Sequence, residues 1–119
     1  EGPLERLEQL IDRYFDFVLE QPRYFDLAFL VPSHGMRMAD ELGRHNRSTF
    51  MFAVQQVHLC VEQGIFKKSD PLETAIMVWA EAHGLVTLFR MERFGENPEQ
   101  FRAIFKRTIK RLLDGLKPD

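Results

Sequence analysis

An all-α fold, a helical bundle of about five helices, is what this sequence predicts, and three observations predict it. Apolar residues recur every three or four positions along most of the chain, the spacing of one helix face, rather than alternating as in a strand. Pro3, Pro71 and Pro98 each stand where a first-turn proline would open a helix, the last two directly behind Asp70 and Asn97 as caps. Long β-branched runs are absent, and eleven Phe beside one Trp and two Tyr suit an aromatic interior between helices.

The first helix runs from Pro3 to about Gln21, with Leu4, Leu7, Ile11, Tyr14 and Val18 as its buried stripe and Leu10, Phe15 and Phe17 widening it. Pro22 restarts the chain as a short aromatic helix, Arg23 to about Leu30. It ends ahead of Pro32 because the residue before a proline is pushed out of the helical region. Ser33 to Gly43 holds two glycines and few bulky apolar groups besides Met36, Met38 and Leu42, and reads as a loop with a turn of helix around Ala39 to Leu42. A long helix follows from about Arg44 to Gln63, with Phe50, Val54, Val57 and Val61 on one stripe and Gly64 as its C-terminal cap. Asp70-Pro71-Leu72-Glu73 joins a cap, a first-turn proline and an acidic third residue. The helix it starts continues to about Phe94 and stops at Gly95, roughly 35 Å at ~1.5 Å per residue. Asn97-Pro98-Glu99-Gln100 repeats the signal for a last helix ending near Asp114, with Gly115 beyond it.

The helix opened by Asp70 is the most informative. Ile76 to Ala80 is apolar at five consecutive positions, so every side of the helix has to be covered. Trp79, Ala82, Val86 and Phe89 form one stripe, and Met77, Gly84, Leu88 and Met91 form another nearly opposite. A monomeric bundle can cover the first from inside; the second calls for something outside the monomer. On the last helix Phe101, Phe105, Thr108 and Leu112 form one line, while Ile104, Ile109, Leu113 and Leu116 extend the apolar surface around it. This surplus on adjacent helices predicts a two-fold, four-helix dimer interface that includes Met77, Gly84, Leu88, Met91, Ile104, Phe105, Ile109, Leu112 and Leu113. A mid-helix glycine costs about 1 kcal/mol relative to alanine. Gly84 either admits a crossing helix of the partner or relieves a clash within the monomer.

Composition sets outer bounds. One domain of 119 residues buries a real core but not two. A formal net charge of −2 gives no general attraction for phosphate backbones or anionic lipid. A single cysteine, Cys60, forms no internal disulfide and no thiolate cage, which suits a reducing, cytoplasmic setting. No signal peptide is visible, and the longest apolar stretch, Ala75 to Phe89, is interrupted by Glu81, His83 and Gly84 and is too short to span a bilayer. With no Met at position 1, the chain reads as a fragment or one whose beginning is missing.

Trp79-Ala80-Glu81-Ala82-His83-Gly84-Leu85 resembles the tryptophan–histidine–glycine signature in the C-terminal domains of many TetR-family transcriptional regulators. Tyr14 to Phe25 looks like that family's helix, proline and short aromatic helix, and Leu112-Leu113-Asp114-Gly115-Leu116 is similar to the close of its final helix. The resemblance covers essentially the whole chain. It implies a domain that forms a homodimer through its last two helices, encloses a small-molecule pocket among the earlier ones, and serves a regulator, taken here as a repressor released from DNA by a small hydrophobic effector. The family's N-terminal helix-turn-helix module is absent from these residues, so no DNA-reading residue is carried over and DNA is reached only through that missing domain.

A pocket of this kind needs mostly apolar walls and a few orienting polar groups. Phe17, Val18, Phe25, Phe29, Val54, His58, Val61, His83 and Thr87 could converge on it, with Met36, Met38 and Met51 as pliable wall. The competing reading is that each simply fills the core. Trp79, His83 and Thr87 follow one another by four residues on one side of a helix, where a neutral imidazole could bond either a ligand or a neighbouring carbonyl. Metal and cofactor are not expected: His58 and Glu62 are two groups, not a site, and the Glu-x-x-His pattern of di-iron bundles is missing. No phosphate loop, nucleophile elbow or paired-carboxylate constellation points to catalysis, and Cys60 reads as a small core residue. Lys106, Arg107, Lys110 and Arg111 read as a solvated face complementing the helix dipole rather than a DNA contact. The alternatives are a helical dimerisation or interaction module with no small ligand, set apart by a solid interior between the first and fourth helices, and a small helical enzyme or metal protein.

Overall fold

Prolines and polar caps set the helix starts. The structure, a computed structural model, describes residues 1–25, 36–91 and 97–119, and the backbone alone for 24, 25 and 36–46. Its elements are α1 (Pro3–Glu20), α2 (Pro22–Phe25), α3 (Met36–Glu62), α4 (Pro71–Arg90) and α5 (Pro98–Leu116). No strand occurs among the described residues, and the architecture is four long helices with one single turn. The expected short aromatic helix is seen only as that turn; its continuation toward Leu30 lies outside the described residues.

Each long start has its physical cause. The Gly2 N–H donates to Glu5 Oε2 at 3.0 Å ahead of α1. Asp70 Oδ1 accepts from the Leu72 N–H at 2.9 Å ahead of α4. Asn97 and Gln100 cap α5 reciprocally, each side-chain oxygen taking the other's backbone N–H. Gly64 ends α3 as expected, with φ 76 in the left-handed region. The Gly64 N–H reaches Val61 O and the Ile65 N–H reaches Cys60 O, the paired bonds of a glycine-terminated helix.

Two boundaries differ from expectation, and a third passes beyond the described residues. α3 begins at Met36, not Arg44, because Met36 to Leu42 consists mainly of good helix formers and one glycine, Gly43, costs only about 1 kcal/mol. α4 is described as Pro71–Arg90, with the Met91 N–H donating to Thr87 O, and its expected end near Phe94 and Gly95 lies outside the described residues. α5 runs on through Gly115 to Leu116, whose carbonyl accepts the Lys67 N–H at 2.7 Å, tying the last turn to the loop after α3.

Side-chain pairs give the directions. Arg6 Nε donates to Gln56 Oε1 at 2.7 Å near the start of α1, so α1 and α3 run antiparallel, whereas Tyr14 meets His83 and α1 runs with α4. α4 packs on α3, α5 and α1. The centre is aromatic. Phe15 lies 4.5 Å from Phe105 and 6.0 Å from Phe101 between ring centroids, and Phe89 lies 4.7 Å from Phe101. Phe15 rather than Tyr14 holds the middle of α1, since a phenol must keep its hydroxyl by a polar partner. On α3 the buried line is Ala53, Val57 and Cys60, with Phe50, Val54 and Val61 only partly buried beside it. On α5 it is Phe101, Phe105, Ile109 and Leu113, at uniform steps of four, in place of a line through Thr108 and Leu112. Phe66, from the loop between α3 and α4, is 1% exposed and closes the base of the core.

Replacing Gly64 by alanine is expected to cost about 1 kcal/mol in urea unfolding, all of it backbone strain, because no atom lies within 4 Å of the added carbon. Phe66→Ala should cost about 3–5 kcal/mol in the same measurement, far above a typical loop substitution.

Candidate functional site

The most organised polar feature of the interior is built around Trp79. One helical turn separates Trp79 from His83, so the two rings lie on one side of α4, near-parallel with centroids 6.0 Å apart. From α1, Tyr14 places its ring 5.3 Å from Trp79 and its hydroxyl 3.0 Å from His83 Nδ1. Phe50 of α3 meets the indole edge-on at 6.4 Å. Burial alone pushes the His83 imidazole below its ordinary 6.5 and the Tyr14 phenol upward. Both groups are therefore neutral at pH 7, and the hydrogen bond between the Tyr14 hydroxyl and His83 Nδ1 joins them in their uncharged forms.

Beside this cluster, between α1, α3 and α4, lies an apolar cavity of about 20 Å³ walled by Leu10, Ile11, Tyr14, Ala53, Val78 and Trp79. That is room for about one water, against ~300–1,000 Å³ for a pocket that holds a small organic ligand. One turn beyond His83, Thr87 Oγ1 is buried with no hydrogen-bond partner among the described residues.

The residues expected to line a pocket fall in different places. His83 joins Tyr14 and Trp79, with Thr87 one turn further. Val18 is buried and Phe17 half-buried against the core, as is Val61. Val54 and His58 instead border an open hollow of about 770 Å³ with Met51, Phe52 and Leu72, at the N-terminal end of α4. His58 is exposed there and stands 3.5 Å from Glu62. Phe25 and Phe29 lie outside the described side chains, as do Met36 and Met38.

The residues expected at a dimer surface also divide. Met77, Leu88 and Met91 are 51%, 38% and 48% exposed. A carbon added at Gly84 would meet no atom of the described residues within 4 Å, so none of them requires a glycine there. Ile104 and Leu112 are half-buried. Phe105, Ile109 and Leu113 are corrected: all three are buried in the protomer's own core, because α5 turns that stripe onto Phe15 and its neighbours, and they have no surface to give.

Sequence reasoning missed the Tyr14–His83 bond, the buried Gln56 under Arg6, and Phe66. The signal for the first was present, since a tyrosine inside an apolar stripe has to find a partner for its hydroxyl. Cys60 is fully buried, and its thiol is pushed up to about 11, first by loss of solvent, which leaves it an unreactive core group. Among the described residues no three His, Cys, Asp or Glu side chains gather where a metal could sit.

Tyr14→Phe should lower stability by about 1 kcal/mol, read by denaturant unfolding, as the bond to His83 is lost without a change in shape. The folded His83 binds its proton less readily than the unfolded one, so its contribution is complete above pH 6.5 and is lost as pH falls below that value toward the folded pKa. His83→Gln should flatten the pH dependence of unfolding free energy in that window.

Comparison with known proteins bears on what such a bundle serves. A family model described as tetracyclin repressor-like, C-terminal domain, matches residues 7–112. No curated protein and no solved structure gives a significant match. The match takes in most of α1, the Trp79–His83 cluster, the exposed stripe of α4 and most of α5, and the chain belongs to the tetracyclin repressor-like C-terminal domain family.

Proposed function

We propose that this chain is the ligand-sensing and dimerisation domain of a TetR-family transcriptional regulator, a repressor that a small hydrophobic effector releases from DNA. The observation that carries it is the outer stripe of α4, Met77, Gly84, Leu88 and Met91, an apolar strip open to solvent in a chain whose family is regulatory. Large apolar side chains grouped on one helix face mark an interaction surface rather than scattered exposure. The interface is two-fold, with α4 and α5 from each subunit, and Ile104 and Leu112 on its α5 side. DNA is contacted through an N-terminal helix-turn-helix module outside these residues. The effector acts by its difference in affinity for two dimer states, only one of which matches the operator's half-site spacing.

In this reading the effector is received at the Tyr14–Trp79–His83 cluster; what supports it is that aromatic walls there meet a neutral imidazole, with a Thr87 hydroxyl that has no partner among the described residues one turn further. The protein carries no catalytic apparatus in this reading. A second reading, an interaction module with no small ligand, draws support from the cavity of about 20 Å³ beside the cluster, which is far smaller than an organic effector.

Light scattering should give twice the 14.0 kDa chain mass, and Leu88→Lys combined with Met77→Lys should weaken association at least about ten-fold. Trp79, the chain's one tryptophan, reports on the cluster directly. Titration with a panel of aromatic and aliphatic compounds should give a saturable change in its emission for at least one. Dimers whose tryptophan ignores every compound would favour the interaction module.

A further inference from the structure

Large apolar side chains open to solvent occur on α3 and α4 and, among the described residues, on no other helix. α5 turns Phe101, Phe105, Ile109 and Leu113 inward, and shows Lys106, Arg107, Lys110 and Arg111 to solvent. On α4, Leu72, Ile76, Ala80, Gly84 and Leu88 follow one another at steps of four, the spacing of one continuous ridge, large at its ends and small in the middle. Leu72 and Ile76 are 48% and 49% exposed, and the ridge begins at the open hollow beside α3. There Met51 is 57% and Phe52 40% exposed, so the α3 wall of the hollow carries open apolar side chains as well.

Area decides how far a contact with another copy has to reach. At roughly 200 Å² for a fully open side chain of this size, Met77, Leu88 and Met91 together offer on the order of 300 Å². A stable interface takes about 800 Å² from each partner, rather more than half of it apolar. The outer stripe alone falls short of that, and α5 adds only the half-buried Ile104 and Leu112. With Leu72, Ile76, Met51 and Phe52 the open apolar area more than doubles, to on the order of 600 Å², which is what a stable two-fold contact needs.

We infer that a second copy of this chain seats on α3 as well as α4, the hollow of each copy at Met51, Phe52 and Leu72 receiving apolar side chains from the α4 ridge of the other. A hollow and a ridge side by side on one surface serve both halves of a two-fold contact, since each copy then gives the one and offers the other. Ala80 and Gly84 keep the centre of the ridge low, and no described atom lies within 4 Å of a carbon added at Gly84, so two α4 backbones can approach closely there. The inference rests on the dimeric reading above and adds α3 to its contact surface. Phe50, next to Met51, holds Trp79 edge-on at 6.4 Å, so α3 as well as α4 then bears both a contact of the cluster and a contact of the interface.

The test is sedimentation equilibrium of the 119-residue chain, with circular dichroism confirming that each variant is folded. Met51→Lys combined with Leu72→Lys changes two residues outside the core and should raise the dimer dissociation constant about ten-fold or more. A measurement on the native chain removes any dependence on how the variant folds. With its five methionines labelled at the methyl carbon, the Met51 signal should shift on dilution over the same concentration range as the Met77 signal. A dimer indifferent to the paired lysines, or a Met51 signal that stays fixed while that of Met77 moves, overturns the part given to α3 and leaves the dimer standing. A native chain that sediments at single-chain mass at about 100 µM overturns the dimeric reading itself.

Discussion

Apolar side chains extend over most of the circumference of α4, and a helix of that kind needs cover on every side. The rest of the molecule is arranged by this constraint. α3 and α5 flank α4, α1 closes over its inner face, and Phe66 seals the base. Among the described residues of α4, Met77, Leu88 and Met91 remain uncovered along one strip, and Leu72 and Ile76 beside it. The same apolar excess that builds the core therefore leaves the surface on which the proposed function turns.

Polar chemistry in this bundle is sparse, and each instance has a structural cause. Tyr14 could not take the centre of α1 without stranding its hydroxyl, so Phe15 does, and Tyr14 sits one position aside where His83 meets it. The imidazole is kept neutral by burial, and so bonds a phenol without placing a charge in the interior. The cluster joins α1 to α4, the helix that also carries the outer stripe. In the proposed function α4 is the element through which a shift at Tyr14 or His83 would reach the outer surface, because it carries both.

Elements with a local chemical cause were legible in the sequence. The Asp70-Pro71 and Asn97-Pro98 starts, the Gly64 stop and the inward stripe of α1 all depend on residues within a turn of one another. The family was legible too, through the order of Trp79, His83 and Gly84 within a helix of the right surroundings. The start of α3 was not, because Gly43 looks like a breaker locally and is outweighed by the helix formers around it. Nor was the side each α3 residue faces: His58 stays exposed and Val54 only partly buried beside an open hollow, while Phe50 reaches Trp79.

Sequence by itself determined that the chain is helical, where most of its helices start, and that one of them is apolar on more than one side. These follow from spacing and capping, which act over a few residues. Only the tertiary structure decided which surplus residues remain outside. Phe105, Ile109 and Leu113 went to the core and Met77, Leu88 and Met91 did not, because the rotation of a helix about its axis is set by the side chains packed against it. An apolar residue carries no mark of which neighbour will cover it, and that assignment exists once the helices have met.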